Sequence, residues 1–367
     1  MTNPRVKLLR LTNCIKEYNI PAYNMLSQYY DLTIAHYGNK VDDKKVRFNQ
    51  IILSPKKIFT FIYFEENIYE LSKKYDAVLA LGDLHVFPYM MLGFRKKRKF
   101  SLTFWGIGLS ASYKKKFDED RKLDWIRFRI MNKADSLVFY SDYPIKRYME
   151  NHVTREKLFV APNTVSINER IEIPLDKKYF LFIGTLYKEK MIYELLNAYL
   201  ITYNKNNGIA PLVIVGDGEE KSSIEKWIKD NKLAEKILLK GAIYEQNALR
   251  NVFMYAISCI SPGQAGLSVL SSMAYGVPFI TTYDAITGGE LFNIQNEYNG
   301  LMYDGKTESL AGILELLGTD NKKVQKMSHN AQNYYFKYRT MDMMVNGLKD
   351  SIEFALKAQC IKKEGSY

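Results

Sequence analysis

Four short apolar runs in the second half of the chain, Tyr179–Ile183, Leu212–Val215, Ile237–Leu239 and Ile257–Ile260, each reach a glycine within three residues and then enter a helical pattern. Runs this short and this continuously apolar suit strands buried on both faces, the condition of a parallel sheet covered by helices. The intervening helical patterns fall at Lys190–Tyr203, Glu219–Asn231, Gln246–Tyr255 and Leu267–Tyr275, and Val277–Thr281 adds a further strand. Three more helical stretches, Ser309–Leu317, Lys322–Tyr338 and Met341–Lys357, follow. Strand and helix in strict alternation leave few architectures open, and the doubly wound α/β sheet is the one they favour.

The first half repeats the alternation less cleanly. Its candidate strands are Val6–Leu11, Leu32–His36, Ile58–Tyr63, Ala77–Leu81, Ser101–Trp105, Ser136–Tyr140 and Leu158–Ala161, with helical patterns near Glu66–Lys74, Asp120–Met131 and Tyr143–Glu150. Pro162–Lys178 follows neither period and is read as a linker. At 367 residues the chain can fill two cores. The expected organisation is two Rossmann-like doubly wound domains facing a cleft: residues 1–165, residues 166–345, and a closing helix over 346–367 free to pack back on the first domain.

Residues 1–170 hold 30 Lys and Arg against 18 Asp and Glu, whereas residues 171–367 hold 22 of each, so the whole excess of +12 sits in the first half. Dense runs occur at Arg95–Lys99 and Lys114–Lys116. This asymmetry fits an anionic partner for one domain, a membrane surface, a phosphorylated substrate or nucleic acid, with a solvated lysine-rich face as the plain alternative; of these the basic domain is expected on an anionic membrane surface. Nucleic acid is set aside because no recognised nucleic-acid motif is present. Three widely spaced cysteines, Cys14, Cys259 and Cys360, support neither a disulfide framework nor a zinc site. No apolar run approaches the ~20 residues of a membrane span, and the N-terminus lacks a signal-peptide pattern. The expected location is the cytoplasm, extended to peripheral attachment on the inner face of the membrane.

In open α/β sheets ligands bind beyond the carboxyl ends of the strands. The loops there are Gly184-Thr185-Leu186, Gly216-Asp217-Gly218, Gly241–Tyr244 and Pro262–Gly266, with Gly82–His85 and Gly106–Gly108 in the first half. The Pro262–Gly266 loop enters a helix near Leu267, which leaves the amides of Gly266, Leu267 and Ser268 open to an anion such as a diphosphate. Lys190, at the opening of another helix, stands against the helix dipole, a local conflict that a bound phosphate would resolve. Lys188 competes for the same role.

These motifs resemble the nucleotide-sugar domain of glycosyltransferase family 4 (group 1) enzymes of the GT-B fold. The resemblance runs over about 180 residues through YFLFIGTLYKEK (179–190), LVIVGDGEE (212–220), the 237–263 segment, GLSVLSSMAYGVPFITT (266–282) and GGELFNIQNEYNGLMYD (288–304); KADSLVFYSDYPIKRYM (133–149) and KLFVAPNTV (157–165) carry a weaker one in the first half. It implies a hexosyltransferase-type enzyme moving sugar from a nucleotide donor, usually with retention, to a saccharide or lipid-linked acceptor held by the first domain. Lys190 would contact the donor diphosphate and the Gly266–Ser268 amides its distal phosphate. Tyr244 would stack on the base with Glu245 beside it, and Gly184, Thr185, Gly216 and Asp217 would line the pocket. No cofactor and no metal are implied.

The chain also departs from that family. The paired glutamates fall on Gly263 and Ser271, the arginine after the first glycine on Thr185, and the histidine of the first domain on Ile107. Gln264 and Ser271 are the uncharged substitutes, and Glu290 is the nearest alternative carboxylate, a catalytic candidate with Lys190. On the acceptor side Asp83, His85, Trp105 and Gly106 follow or end strands, with Asp83 and His85 as candidate catalytic groups. The missing carboxylates leave a second possibility, a catalytically inactive partner subunit or scaffold of the same fold.

Overall fold

The computed structural model describes residues 5–95, 98–111, 117–119 and 122–364. Lys96, Lys97, Lys114–Lys116 and Asp120 of the motifs above lie outside the described residues. The chain divides into two compact units: one comprises Met1–Ser110, Asp120–Ser166 and Met341–Tyr367, the other Ala111–Glu119 and Ile167–Thr340.

The first unit is built on seven strands: β1 (Lys7–Leu11), β2 (Asp31–His36), β3 (Asn49–Ile52), β4 (Ala77–Leu81), β5 (Ser101–Gly106), β6 (Ser136–Phe139) and β7 (Leu158–Val160). They are all parallel, in the order β3-β2-β1-β4-β5-β6-β7, so the winding reverses between β1 and β4. Leu8, Ile34, Leu79 and Val138 bury one face against Tyr23 and Leu26 of the Ile20–Leu26 helix and Met344, Val345 and Leu348 of the Met341–Glu364 helix. That last helix reaches the sheet after the whole second unit has been built, and Ser136 Oγ donates to Ser351 O at 2.9 Å. Burying each large aliphatic side chain of this layer contributes about 1.5–3 kcal/mol.

Two features depart from the sequence reading. Ile58–Tyr63 is not one strand: the chain reverses at Phe59–Thr60, pairing Pro55–Ile58 antiparallel with Phe61–Phe64. Nothing in the sequence marks this turn, because Phe59 takes a left-handed φ of 54° where Gly or Asn is the usual occupant. The Arg95–Lys99 run is also not a uniform solvated patch. The Arg98 side chain is buried, its Nη2 2.6 Å from the wholly buried Asp135 carboxylate, and Arg95 lies over the Tyr69 ring.

The second unit repeats the winding with β8 (Tyr179–Ile183), β9 (Leu212–Val215), β10 (Ile237–Leu239), β11 (Ala256–Ile260), β12 (Phe279–Thr282) and β13 (Gly300–Tyr303). The order is β10-β9-β8-β11-β12-β13, all parallel, reversing between β8 and β11. Phe180, Phe182 and Ile214 pack under Leu195, Leu196 and Tyr199 of the Ile192–Lys205 helix and Leu310 and Leu314 of the Thr307–Thr319 helix. Among the described residues no helix is long and apolar enough to cross a membrane.

Candidate functional site

A reversal of strand order leaves neighbouring strand ends with loops that diverge to opposite faces, and a crevice opens between them. In the second unit this point lies between β8 and β11, where the Gly184–Lys190 and Ser261–Gly266 segments emerge. Gly184 N donates to Val215 O at 3.0 Å, and Gly216 N to Gly241 O at 2.8 Å, so each loop is laced to the next strand end. Gly216 has φ +156°, and a Cβ there would stand 1.9 Å from Gly184 O. Only glycine permits this approach.

Lys190 ends the short Lys188–Lys190 3₁₀ turn, and Met191 follows in the left-handed region at φ 54°. The turn aims the two competing lysines differently. Lys188 is exposed, whereas Lys190 is only 7% exposed and points back over the strand end. A Cβ on Gly184 would be 3.3 Å from Lys190 Nζ. The ammonium lies 5.8 Å from the Tyr187 ring centroid and pairs with no carboxylate among the described residues. Burial pulls its pKa down from 10.5 to about 8. A cation held out of water without a counter-ion is poised to receive an anion.

The second loop is pinned to the first through main chain. Gly263 N donates to Lys190 O at 3.2 Å, and Ile286 N to Gly263 O at 2.9 Å. Gln264–Ala265 forms a two-residue parallel pair with Ile286–Thr287. Gly266 then opens the Leu267–Ala274 helix with no side chain capping it, and its Cα faces open space. The first amides of the helix, those of Leu267 and Ser268, therefore carry the positive dipole end uncapped. Ser268 and Ser271 are half-buried on its first two turns. Glu290 stands on the loop that Ile286–Thr287 carries; it is buried, and its Oε2 accepts from Gly288 N at 3.0 Å.

Other sequence candidates are placed differently. Thr185 is exposed. The Asp217 carboxylate accepts from Gly218 N at 2.8 Å and Lys221 Nζ at 3.2 Å, which makes it a brace of its own turn. Glu245 caps the Gln246–Met254 helix through Asn247 N and Ala248 N, so its carboxylate is occupied. Tyr244 beside it is 87% exposed, a ring face open for stacking. In the first unit, His85 Nδ1 lies 2.9 Å from Asp83 Oδ1 and both side chains are exposed. Trp105 offers no acceptor surface: it is 1% exposed, under the Arg10 guanidinium at 4.5 Å and edge-on to Tyr23 and Tyr140. Gly106 is buried at the end of β5. The sequence reading passed over Tyr187, whose hydroxyl donates to Gln264 Oε1 and orients that amide. Its only signal is an aromatic ring inside a strand-end loop.

The family of glycosyl transferases group 1 matches residues 165–334, which encloses the second-unit strands and the loops of the candidate site. These residues form a group 1 glycosyltransferase domain. Relatives of the chain include the alpha-monoglucosyldiacylglycerol synthase of Acholeplasma laidlawii, 21% identical over 208 residues, covering 54% of this chain and 49% of that protein. The poly(glycerol-phosphate) alpha-glucosyltransferase of Bacillus subtilis is 23% identical over 243 residues, covering 65% and 36%. The chain thus spans about half or less of the length of these two relatives. The crystal structure of Anabaena HepE in complex with UDP and glucose superposes with a TM-score of 0.68 at 12% identity, over 95% of this chain and all of that one. That likeness shows the fold, which is GT-B.

Proposed function

We propose that the chain transfers a sugar from a nucleotide diphosphate donor to a saccharide acceptor in glycan assembly, the acceptor being lipid-linked. The observation that carries this reading is Lys190, a buried ammonium without a carboxylate partner among the described residues, on a turn tied to the loop that opens an uncapped helix. The two together suit a diphosphate. The UDP held by HepE is a ligand of that class.

In this reading the acceptor hydroxyl attacks the anomeric carbon on the face the diphosphate leaves, the sugar–phosphate bond breaks, and the hydroxyl proton passes to the departing phosphate oxygen. Lys190 and the Leu267 and Ser268 amides stabilise the charge on that oxygen without a cofactor or metal. Gln264, Ser271 and Glu290 hold the sugar and ribose hydroxyls, Tyr244 faces the base, and Asp83 with His85 positions the acceptor. Retention is supported by the names of both curated relatives, which specify alpha-glucosyl products. The diacylglycerol in one name and the basic first half support a lipid-borne acceptor at an anionic membrane surface. An inactive scaffold is the second reading, because the main chain of Glu189 fills the space a side chain at Gly263 would need.

Two measurements test the donor site. Saturating UDP-sugar at 100 times its Kd should stabilise the chain by about 2.7 kcal/mol, seen as a rise in Tm. No shift with any UDP-, GDP- or TDP-compound would end the proposal, and a shift without turnover would favour the scaffold. The affinity should also depend on pH. Lys190 binds its proton below about 8, and a diphosphate favours that charged form. UDP affinity should therefore be flat below pH 8 and fall by about tenfold per unit above it. Calorimetric titration from pH 7 to 10 checks this, and the slope should vanish in Lys190→Ala.

A further inference from the structure

We propose that the Pro55–Phe64 hairpin is a membrane-inserting element whose tip enters the headgroup–acyl boundary of an anionic bilayer. This rests on the membrane reading above and gives it a definite surface. Three observations carry it.

The tip is apolar and in solvent. Phe59 is 91% exposed, Ile58 53% and Phe61 42%. Scattered exposed apolar residues are ordinary, but three within four positions at the end of a hairpin form a contiguous patch. Phe59 also occupies its left-handed conformation, φ 54°, and its ring makes no aromatic or cation contact among the described residues. A bulky residue in that conformation is disfavoured, and Gly or Asn would relieve the strain while removing an exposed ring. A local rule is broken without gain inside the molecule, so the compensation is sought outside it.

The flank has the charge that an anionic surface attracts. Lys56 and Lys57 precede the tip; Lys56 reaches Glu65 at 3.2 Å, while Lys57 has no ion pair among the described residues. Aromatic tip plus adjacent lysine is the chemistry of an interfacial anchor.

The hairpin is also fixed to the acceptor-side loop. Ile62 N donates to His85 O at 2.7 Å, and Ile62 bridges Val86. Phe61 and Tyr63 pack against Phe87, and Phe64 stacks on Tyr89. Asp83 and His85 therefore sit on the chain segment that anchors the hairpin, and a bilayer gripping the tip would present its lipid-borne saccharide next to them.

The test uses the full chain with vesicles of phosphatidylglycerol and phosphatidylcholine, and of phosphatidylcholine alone. Phe59→Trp should show fluorescence quenched by brominated acyl chains in the anionic vesicles. Ile58→Ser with Phe59→Ser should lower the partition coefficient about tenfold or more, and Lys57→Ser severalfold on anionic vesicles only. The UDP-induced Tm shift should be the same in all variants, which establishes that they are folded. If the parent chain cosediments with anionic vesicles and the double-serine variant does so equally, the hairpin is not the anchor. If the parent does not cosediment at all, the membrane reading itself fails. A concentration-dependent dimer of the parent that the double-serine variant abolishes would overturn the proposal in favour of self-association.

Discussion

Replacing Lys190 by Ala is expected to lower turnover about 10²–10³-fold, the loss typical of removing one preorganised donor to developing negative charge, while leaving the protein as stable as before or more so. The two halves of this expectation come from the same fact. Burial holds the Lys190 pKa near 8 against 10.5 in water, and that difference corresponds to a cost of about 3 kcal/mol for keeping the ammonium charged below pH 8. Truncation removes that cost together with the packing of the lysine stem, and the two offset. A purely structural lysine behaves in the opposite way, since its loss lowers Tm. Lys188→Ala, two residues earlier and exposed, should change turnover by less than about twofold, as surface substitutions do. Steady-state kinetics with a UDP-sugar, beside a thermal melt of each variant, reads both effects. Near-normal kcat/KM in Lys190→Ala would remove the lysine from the donor site, and a fall in Tm with unchanged kinetics would make it structural.

What could be read from the chain alone follows from how each feature is encoded. Strands buried on both faces are written as continuous apolar runs, so YFLFI and LVIV placed β8 and β9 almost to the residue. Strand-end loops announce themselves by glycine, which located the crevice. Orientation within a loop is not written locally. The choice between Lys188 and Lys190 depends on a 3₁₀ turn closed by a left-handed Met191, which no pattern in KEKM signals. Glu245 read as a pocket carboxylate, yet a residue just before a helix has its own use as a cap. Trp105 followed the same logic of strand-end polarity, but an indole at the end of a central strand is covered by whatever crosses above, here Arg10 and Tyr23 from distant parts of the chain. The hairpin is not legible in the sequence because its turn uses Phe59 and Thr60 in place of turn-forming residues.

Restoring the family's glutamate by Gly263→Glu is expected to destroy the site rather than repair it. An ideal Cβ at 263 would lie 2.1 Å from Glu189 O, 2.8 Å from Met191 Cγ and 3.0 Å from Lys190 C. The nearest of these atoms is main chain of the turn that carries Lys190, and that turn is also bonded to Gly263 N. Any side chain at 263 must therefore push this turn away from the strand end, and the ammonium with it. Strain of this kind costs about 1–3 kcal/mol for an added methylene in a packed site, and more when the obstacle is backbone. A loss of about 3 kcal/mol would lower Tm by roughly 6–12 °C for a domain of this size, and UDP binding should weaken along with it. Gly263→Ala, which adds the clash without the charge, should lose most of the same stability, so the two variants separate steric from electrostatic effects. Ser271→Glu reinstates the other carboxylate on a half-buried helical position and should fold within about 1 kcal/mol of the parent. The second-unit backbone stands where a side chain at 263 would go, and in the proposed reading Gln264 and Glu290 of the adjoining segments would take the sugar-facing roles. A Gly263→Glu variant that melts with the parent and turns over faster would show that the Glu189–Lys190 turn yields without cost, and would return the carboxylate to the centre of the chemistry.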